Sequence, residues 1–262
     1  MTVRLDHPAV GVAELVMDRP EALNAISTDQ ARRLTTACAE LAGDRTVHAV
    51  VLSSALAKAF CVGADLKERA GFTDEQLAAQ RPVMQAAFAA VLELPMPTIA
   101  AVEGYALGGG CELALACDLI VASESAVFGL PEVGVGLVPG GGGTQLLPRR
   151  IGANRAADLI YTARHVAVDE AWRLGLADRR VPEGDARAAA LELAEAIAHQ
   201  SPVALRNAKW ALRRGTGVDL SSALVIEDQA WQRTAFSPDR VEGIAAFTDR
   251  RAPRWPGLPA ES

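Results

Sequence analysis

Lysine is scarce in this chain: Lys58, Lys67 and Lys209 are the only three among 262 residues. Arginine carries most of the positive charge, and acidic residues still outnumber basic ones, for a net charge of −6. Such a balance gives no electrostatic reason to wrap a polyanion, so no nucleic-acid partner is expected. Cysteine is also sparse. Cys38, Cys61, Cys111 and Cys117 form no CxxC pair, and His7, His48, His165 and His199 are scattered. That excludes the usual zinc spacings and a disulfide framework, and it points to reduced thiols in a cytoplasmic protein. No apolar run approaches the ~20 residues of a membrane helix. The N-terminal MTVRLDHPAVGV lacks the basic-then-apolar order of a secretory signal, so neither membrane nor export is expected. Aromatic residues make up only 5%, a poor supply for a cleft that stacks sugar rings.

What remains is an ordinary globular composition, half apolar and 22% charged, long enough for a sizeable core. Residues 10–17 read as a strand, broken by RPEALNAIS. Ser27 and Thr28 cap a helix over 28–42. Strands are expected at 48–54, 97–104 and 119–123, helices at 74–93 and 110–117, and AFCVGAD as a loop. From residue 153 the pattern turns helical, at 153–160, 169–174, 184–200, 202–214, 219–235 and 238–249, with short interruptions at 165–168 and 177–181. The expectation is an α/β region followed by helices and a Pro-rich, extended tail.

The stretch GYALGGGCELALACD (104–118) sets glycines at a strand-to-helix turn. The first amides of a helix lack intrahelical partners, and the helix dipole adds positive potential there. Such a turn suits an anion. Phosphate motifs do not fit. GxGxxG fails from Gly108, Gly140 and Gly141, and PGGGGTQ has Thr144 where a P-loop needs Lys. An oxyanion formed during a reaction is the remaining candidate, held by the Gly109 N–H. A second small-residue turn, Gly63–Ala64 before Asp65, could supply another donor. Each turn alone has a bland reading as a tight bend.

Two carboxylates accompany these turns. Glu112 falls in the first helical turn, where helix-end electrostatics alone would favour it. Glu132 follows Pro131 in a loop rich in glycine and apolar residues. It could be an exposed charge, but such a setting would also desolvate it and raise its pKa. Two carboxylates beside an oxyanion hole suggest proton transfer next to a carbonyl. Glycoside hydrolysis also uses two carboxylates but needs no oxyanion hole.

Together, AFCVGADLKE, PTIAAVEGYALGGGCELALACDLIVA, FGLPEVGVGLVPGGGGTQLLPRRIG and VEGIAAFTDRR resemble the enoyl-CoA hydratase/isomerase (crotonase) superfamily. FCVGADLKERA looks in particular like the methylglutaconyl-CoA hydratase branch. The resemblance implies an α/β fold, a spiral of ββα units, with the CoA and acyl site in residues 1–195 and a helical trimerisation region in 196–262. It implies homotrimers or hexamers built from two trimers. By the same resemblance the backbone N–H groups of Ala64 and Gly109 form the oxyanion hole. Glu112 then activates water, and Glu132 supplies the proton to Cα. Ala22, Ala64, Asp65, Leu66 and Lys67 match segments that line the CoA arm, with Gly109 at the thioester. Phe247 and Arg250 match a C-terminal FxxK pattern that reaches a neighbour's CoA, with Arg in place of Lys. Glu21 stands where many relatives carry Lys. The substrate would be an acyl-CoA thioester, with no metal and no separate cofactor, because coenzyme A arrives as part of the substrate. Having both glutamates favours a hydratase. A double-bond isomerase and an idle CoA- or RNA-binding scaffold are the alternatives. The acyl pocket would be shaped by residues around 70–90.

Overall fold

The computed structural model describes residues 2–258. Of the tail expected to be extended, 250–262, residues 252–257 have no regular secondary structure and the last four positions, 259–262, lie outside the described residues. The elements follow in the order β1 (Val3–Ala9), β2 (Val12–Met17), α1 (Thr28–Gly43), β3 (Ala49–Ser54), β4 (Ala59–Cys61), α2 (Leu66–Arg69) and α3 (Asp74–Leu92). Next come β5 (Thr98–Val102), β6 (Tyr105–Leu107), α4 (Gly109–Ala116), β7 (Leu119–Ser123), β8 (Val127–Gly129), α5 (Gly143–Ile151) and α6 (Ala153–Thr162). The last group is β9 (Val166–Ala167), α7 (Val168–Leu174), β10 (Arg179–Val181), α8 (Ala186–Ala198), α9 (Pro202–Gly215), α10 (Leu220–Ala235) and α11 (Pro238–Asp249).

Among the described residues the strands form two sheets, ordered β1-β2-β3-β5-β7-β10 and β4-β6-β8-β9. The chain alternates between them. β3, β5 and β7 enter the large sheet in parallel, and β4, β6 and β8 enter the small one in parallel. Each pair is followed by a helix, which is the spiral of ββα units. β2 is buried along its whole length, as befits a strand covered on both faces. One face of the large sheet carries α8, through Ala190 and Ala194 against Val51, Ile99 and Val121. The other face shares the main core with α1 and α3.

Several elements differ from the sequence expectation. The AFC segment expected as a loop is strand β4; the strand expected at 97–104 is β5, and β6, which starts after Gly104, is a separate strand the sequence reading did not predict. β1 and β8 went unanticipated. β1 is an edge strand paired only with its neighbour β2, and β8 is a three-residue strand whose partner β6 lies about twenty residues away. Residue 195, the expected end of the core region, lies inside α8. Trp231 is exposed on α10 rather than in the core of the chain, while Arg233 stacks 4.4 Å from the centroid of the Trp210 ring.

The C-terminal helices are locked to the core by charge. Lys209 of α9 is buried and reaches the Asp118 carboxylate at 2.7 Å and the Met96 carbonyl at 2.9 Å. Arg213, one turn on, binds Asp118 at 2.7 Å and the Ala116 carbonyl at 2.9 Å. Burial pushes the Asp118 carboxyl up. Lys209 and Arg213 outweigh that and hold it below the usual carboxylate range. A carboxyl with a lowered folded-state pKa stabilises at neutral pH, and that stabilisation is lost as pH falls through the depressed value. Asp118→Ala leaves two cations without their partner and should cost about 3 kcal/mol at pH 7, read by urea unfolding. The deficit should shrink toward pH 3; an equal deficit at both pH values would refute the assignment.

Candidate active site

Three neighbouring parallel strands of the small sheet, β4, β6 and β8, end side by side. Each hands its chain to one part of the site. After β4 come Gly63 and Ala64. After β6 come Gly108 and α4. After β8 come Leu130, Pro131 and Glu132. Carboxyl ends of parallel strands are the usual place for a site in open α/β sheets.

The first two turns touch backbone to backbone. A Cβ on Gly110 would fall inside the Cys61 carbonyl, so α4 begins pressed onto β4. A Cβ on Gly109 would lie 3.6 Å from the Gly63 Cα. Gly108 has φ of 51° and precedes the first helical residue, Gly109. A side chain there would be strained, and its Cβ would also meet the Glu132 Oε1 at 3.0 Å. Among the described residues neither the Ala64 nor the Gly109 N–H finds a backbone acceptor. The bridge from Ile26 to this loop uses the Gly63 carbonyl and the Asp65 amide, leaving Ala64 free between them. Two unspent N–H groups therefore meet at one place, one of them at a helix N-terminus.

Glu112 projects from the first turn of α4 and is 3% exposed. Its Oε1 accepts from the Gly141 N–H at 2.6 Å and the Gly143 N–H at 2.8 Å. Burial raises its pKa, while these amides and the charge of Arg81 pull against the rise. Glu132, expected in a loop, sits in a 3-10 turn, Pro131–Val135. Burial pushes its carboxyl up to about 7, and the neighbouring Glu112 charge adds to the rise. Its Oε2 is buried and has no hydrogen-bond partner among the described residues. A buried oxygen without a partner is costly, and one facing a site is suited to a proton passed to a ligand.

A second pair of loops adjoins the Gly63–Ala64 turn. Asn24 has φ of 59° and is fully buried. Its amide donates to the Phe60 carbonyl at 3.0 Å and the Ser54 hydroxyl at 2.8 Å, tying the RPEALN segment to β3 and β4. Arg19 pairs with Asp65 at 2.7 Å. The Asp65 carboxylate also caps α2 through the Lys67 and Glu68 amides, at 3.0 and 3.1 Å. Asp65 is thus spent on shaping the loop. Ala22 is half-buried beside it, and Leu66 and Lys67 are exposed. Phe247 and Arg250 stand apart from this group. Phe247 is 87% exposed, Arg250 caps α11, and α11 packs chiefly on α10.

Sequence reasoning missed Phe88, Asn24, Arg19 and Arg81. Phe88 of α3 walls the site, because Cβ atoms on Gly109 and Gly141 would approach its ring at 3.2 and 2.7 Å. Asn24 was findable as the polar residue ending RPEALN; nothing in the pattern marks Arg81. Cys61 and Cys111 beside the site are buried, and burial pushes both thiols up to about 12. Among the described residues no acidic, histidine or cysteine cluster could hold a metal, and no helix is long and apolar enough to cross a membrane.

The arrangement combines free donors for a developing oxyanion with two carboxyl groups in different surroundings. Residues 8–258 match the family model described as enoyl-CoA hydratase/isomerase.

The chain belongs to the enoyl-CoA hydratase/isomerase, or crotonase, family.

The crystal structure of an enoyl-CoA hydratase from Bacillus anthracis has a TM-score of 0.96 to it, with 40% identity over 98% of this chain and 100% of that one. The mouse mitochondrial enoyl-CoA hydratase domain-containing protein 2 is 42% identical, across 97% of this chain and 87% of that protein. Human mitochondrial methylglutaconyl-CoA hydratase is 41% identical, across 97% of this chain and 76% of its own. The crotonase fold expected from the resemblance is therefore shown, and members of the family act on acyl-CoA thioesters.

A carboxyl whose folded pKa is raised opposes folding once it ionises. The penalty at Glu132 is absent below the ordinary carboxylate pKa, grows as pH rises and levels off above about 7. With solvent screening of this part-exposed group reducing the full effect, Glu132→Gln should therefore be more stable than the wild type by about 1–2 kcal/mol at pH 8, and no more stable near pH 4.5. Urea midpoints at the two pH values check this, and an unchanged midpoint at pH 8 would refute it.

Proposed function

We propose that this crotonase-family enzyme is an enoyl-CoA hydratase, adding water syn across the 2,3 double bond of a 2-enoyl-CoA thioester to give the 3-hydroxyacyl-CoA. One observation carries the reading: Glu112 and Glu132 both flank the two free amides, one anchored by N–H donors and the other pushed up to about 7 with an unpartnered oxygen. The thioester carbonyl accepts from Ala64 and Gly109, whose donors stabilise the enolate as charge reaches oxygen; one such donor is typically worth about 10²–10³ in rate. Glu112, held through Oε1, uses Oε2 to take a proton from water as it attacks C3. Glu132, protonated, gives its proton to C2. Both groups act from one face, hence syn addition.

The CoA arm runs past Ala22 and the Ala64–Lys67 loop, and Lys67 meets a phosphate as a point charge. The protein works as a homotrimer or a pair of trimers in the cytoplasm. Exposed Leu220, Leu224, Trp231, Phe236, Ile244 and Phe247 on α10 and α11 support such an assembly, since apolar surface of this extent marks contact with another chain. Phe247 and Arg250 then reach a neighbour's CoA. We assign residues 196–262 to that assembly.

Loss of the enoyl-thioester absorbance of crotonyl-CoA tests the reaction. Glu112→Gln and Glu132→Gln should each lower kcat by about 10²–10⁴. In the wild type kcat/KM should fall as pH rises through about 7, where Glu132 loses its proton. Conversion of a 3-enoyl-CoA to its 2-enoyl isomer without hydration would establish an isomerase instead. Binding of CoA esters or RNA with no turnover of either would establish the scaffold.

A further inference from the structure

The loop that holds Glu112 is itself held from α3. Arg81 donates from Nη2 to the Gly140 carbonyl at 2.8 Å. The next residue, Gly141, gives its N–H to Glu112 Oε1 at 2.6 Å, and Gly143 gives a second at 2.8 Å. The guanidinium lies tightly over the turn, since a Cβ on Gly140 would come within 2.8 Å of Nη1. Residues 136–142 are otherwise a glycine-rich loop with no regular structure, exposed at 136–138. Such a loop needs an outside anchor if its amides are to stay fixed within a few tenths of an ångström.

We propose that Arg81 is a positioning residue for the water-activating carboxylate, fixing the Gly140–Gly143 amides against Glu112 Oε1 and setting one positive charge beside it. This deepens the hydratase reading and rests on it for the role of Glu112. The charged and titratable groups around Glu112 are few. Glu132 faces it from the 3-10 turn, Cys111 precedes it on α4, the Gly141–Gly143 amides close over it, and Arg81 reaches it from α3. Arg81 alone among them brings a cation that acts on Glu112 directly, and its charge lowers the Glu112 pKa. Glu132 gains nothing comparable. The two carboxyl groups are thereby pushed toward different tasks, one toward the base and one toward the acid.

The consequence separates the two halves of the reaction. Water activation depends on Glu112; exchange of the α-proton of a saturated acyl-CoA depends on Glu132 and the oxyanion hole. Arg81→Gln should move the acid limb of the crotonyl-CoA hydration profile upward and lower hydration about tenfold along that limb. KM should change little. Exchange of the butyryl-CoA α-protons in deuterium oxide should persist within about twofold. Arg81→Lys should return the acid limb toward the wild-type position. Carboxyl ¹³C NMR of glutamate-labelled protein reads the same effect without turnover: the Glu112 titration should move up in Arg81→Gln while that of Glu132 stays near 7. Wild-type inactivity toward every enoyl-CoA ester would fail the hydratase reading, yet the NMR titration would still judge Arg81. Equal loss of hydration and exchange, or an unmoved Glu112 titration, would overturn the proposal.

Discussion

Everything in the site depends on two turns meeting with no side chains between them. Gly110 can lie against the Cys61 carbonyl only because it has no Cβ. That contact sets α4 on the end of β4 and brings the Gly109 N–H beside the Gly63–Ala64 turn. Backbone donors gain precision this way, because they are fixed by strand pairing rather than by rotamers. The small sheet supplies the alignment: β4 and β6 pair in parallel, and so do β6 and β8, so their ends arrive together. Larger residues at either turn would separate the amides and displace the Glu132 carboxyl with them.

On this frame the two glutamates diverge through their surroundings. Glu112 is buried more deeply, yet a glycine loop gives it two N–H donors and α3 gives it a nearby cation. Glu132 is less buried, yet one of its oxygens has no partner. Desolvation acts on both, and hydrogen bonding offsets it at one of them. The cost falls on stability, as is common where a site needs a strained or desolvated group. Elsewhere the buried charges are compensated. Glu14 is paired with Arg187 at 2.6 Å and with Ser53, and Asp118 with Lys209 and Arg213.

The sequence made much of this legible because the functional parts are local. Gly108–Gly110 and Glu112 lie within one turn of chain, and Ala64 directly follows a glycine. The C-terminal helices were read to within about two residues from their helical pattern, and in the structure Ser201, Asp219 and Ser237 cap three of them. The three-residue strands β4 and β8 escaped because their pairing partners are distant in sequence. Glu132 looked like a loop residue because the 3-10 turn beneath it is short and its burial comes from neighbouring elements. Arg81 carried no signal: an arginine on a helix reads as a solvated charge until the fold sets the Gly140 carbonyl against it.

The central claim is that two carboxyl groups beside one oxyanion hole divide a single syn addition of water. The most direct measurement is proton NMR of the product formed from crotonyl-CoA in deuterium oxide. The account predicts 3-hydroxybutyryl-CoA bearing one deuterium at C2, on the same face as the new hydroxyl. A product with deuterium on the opposite face, or an alkene moved without any hydroxyl, would contradict it.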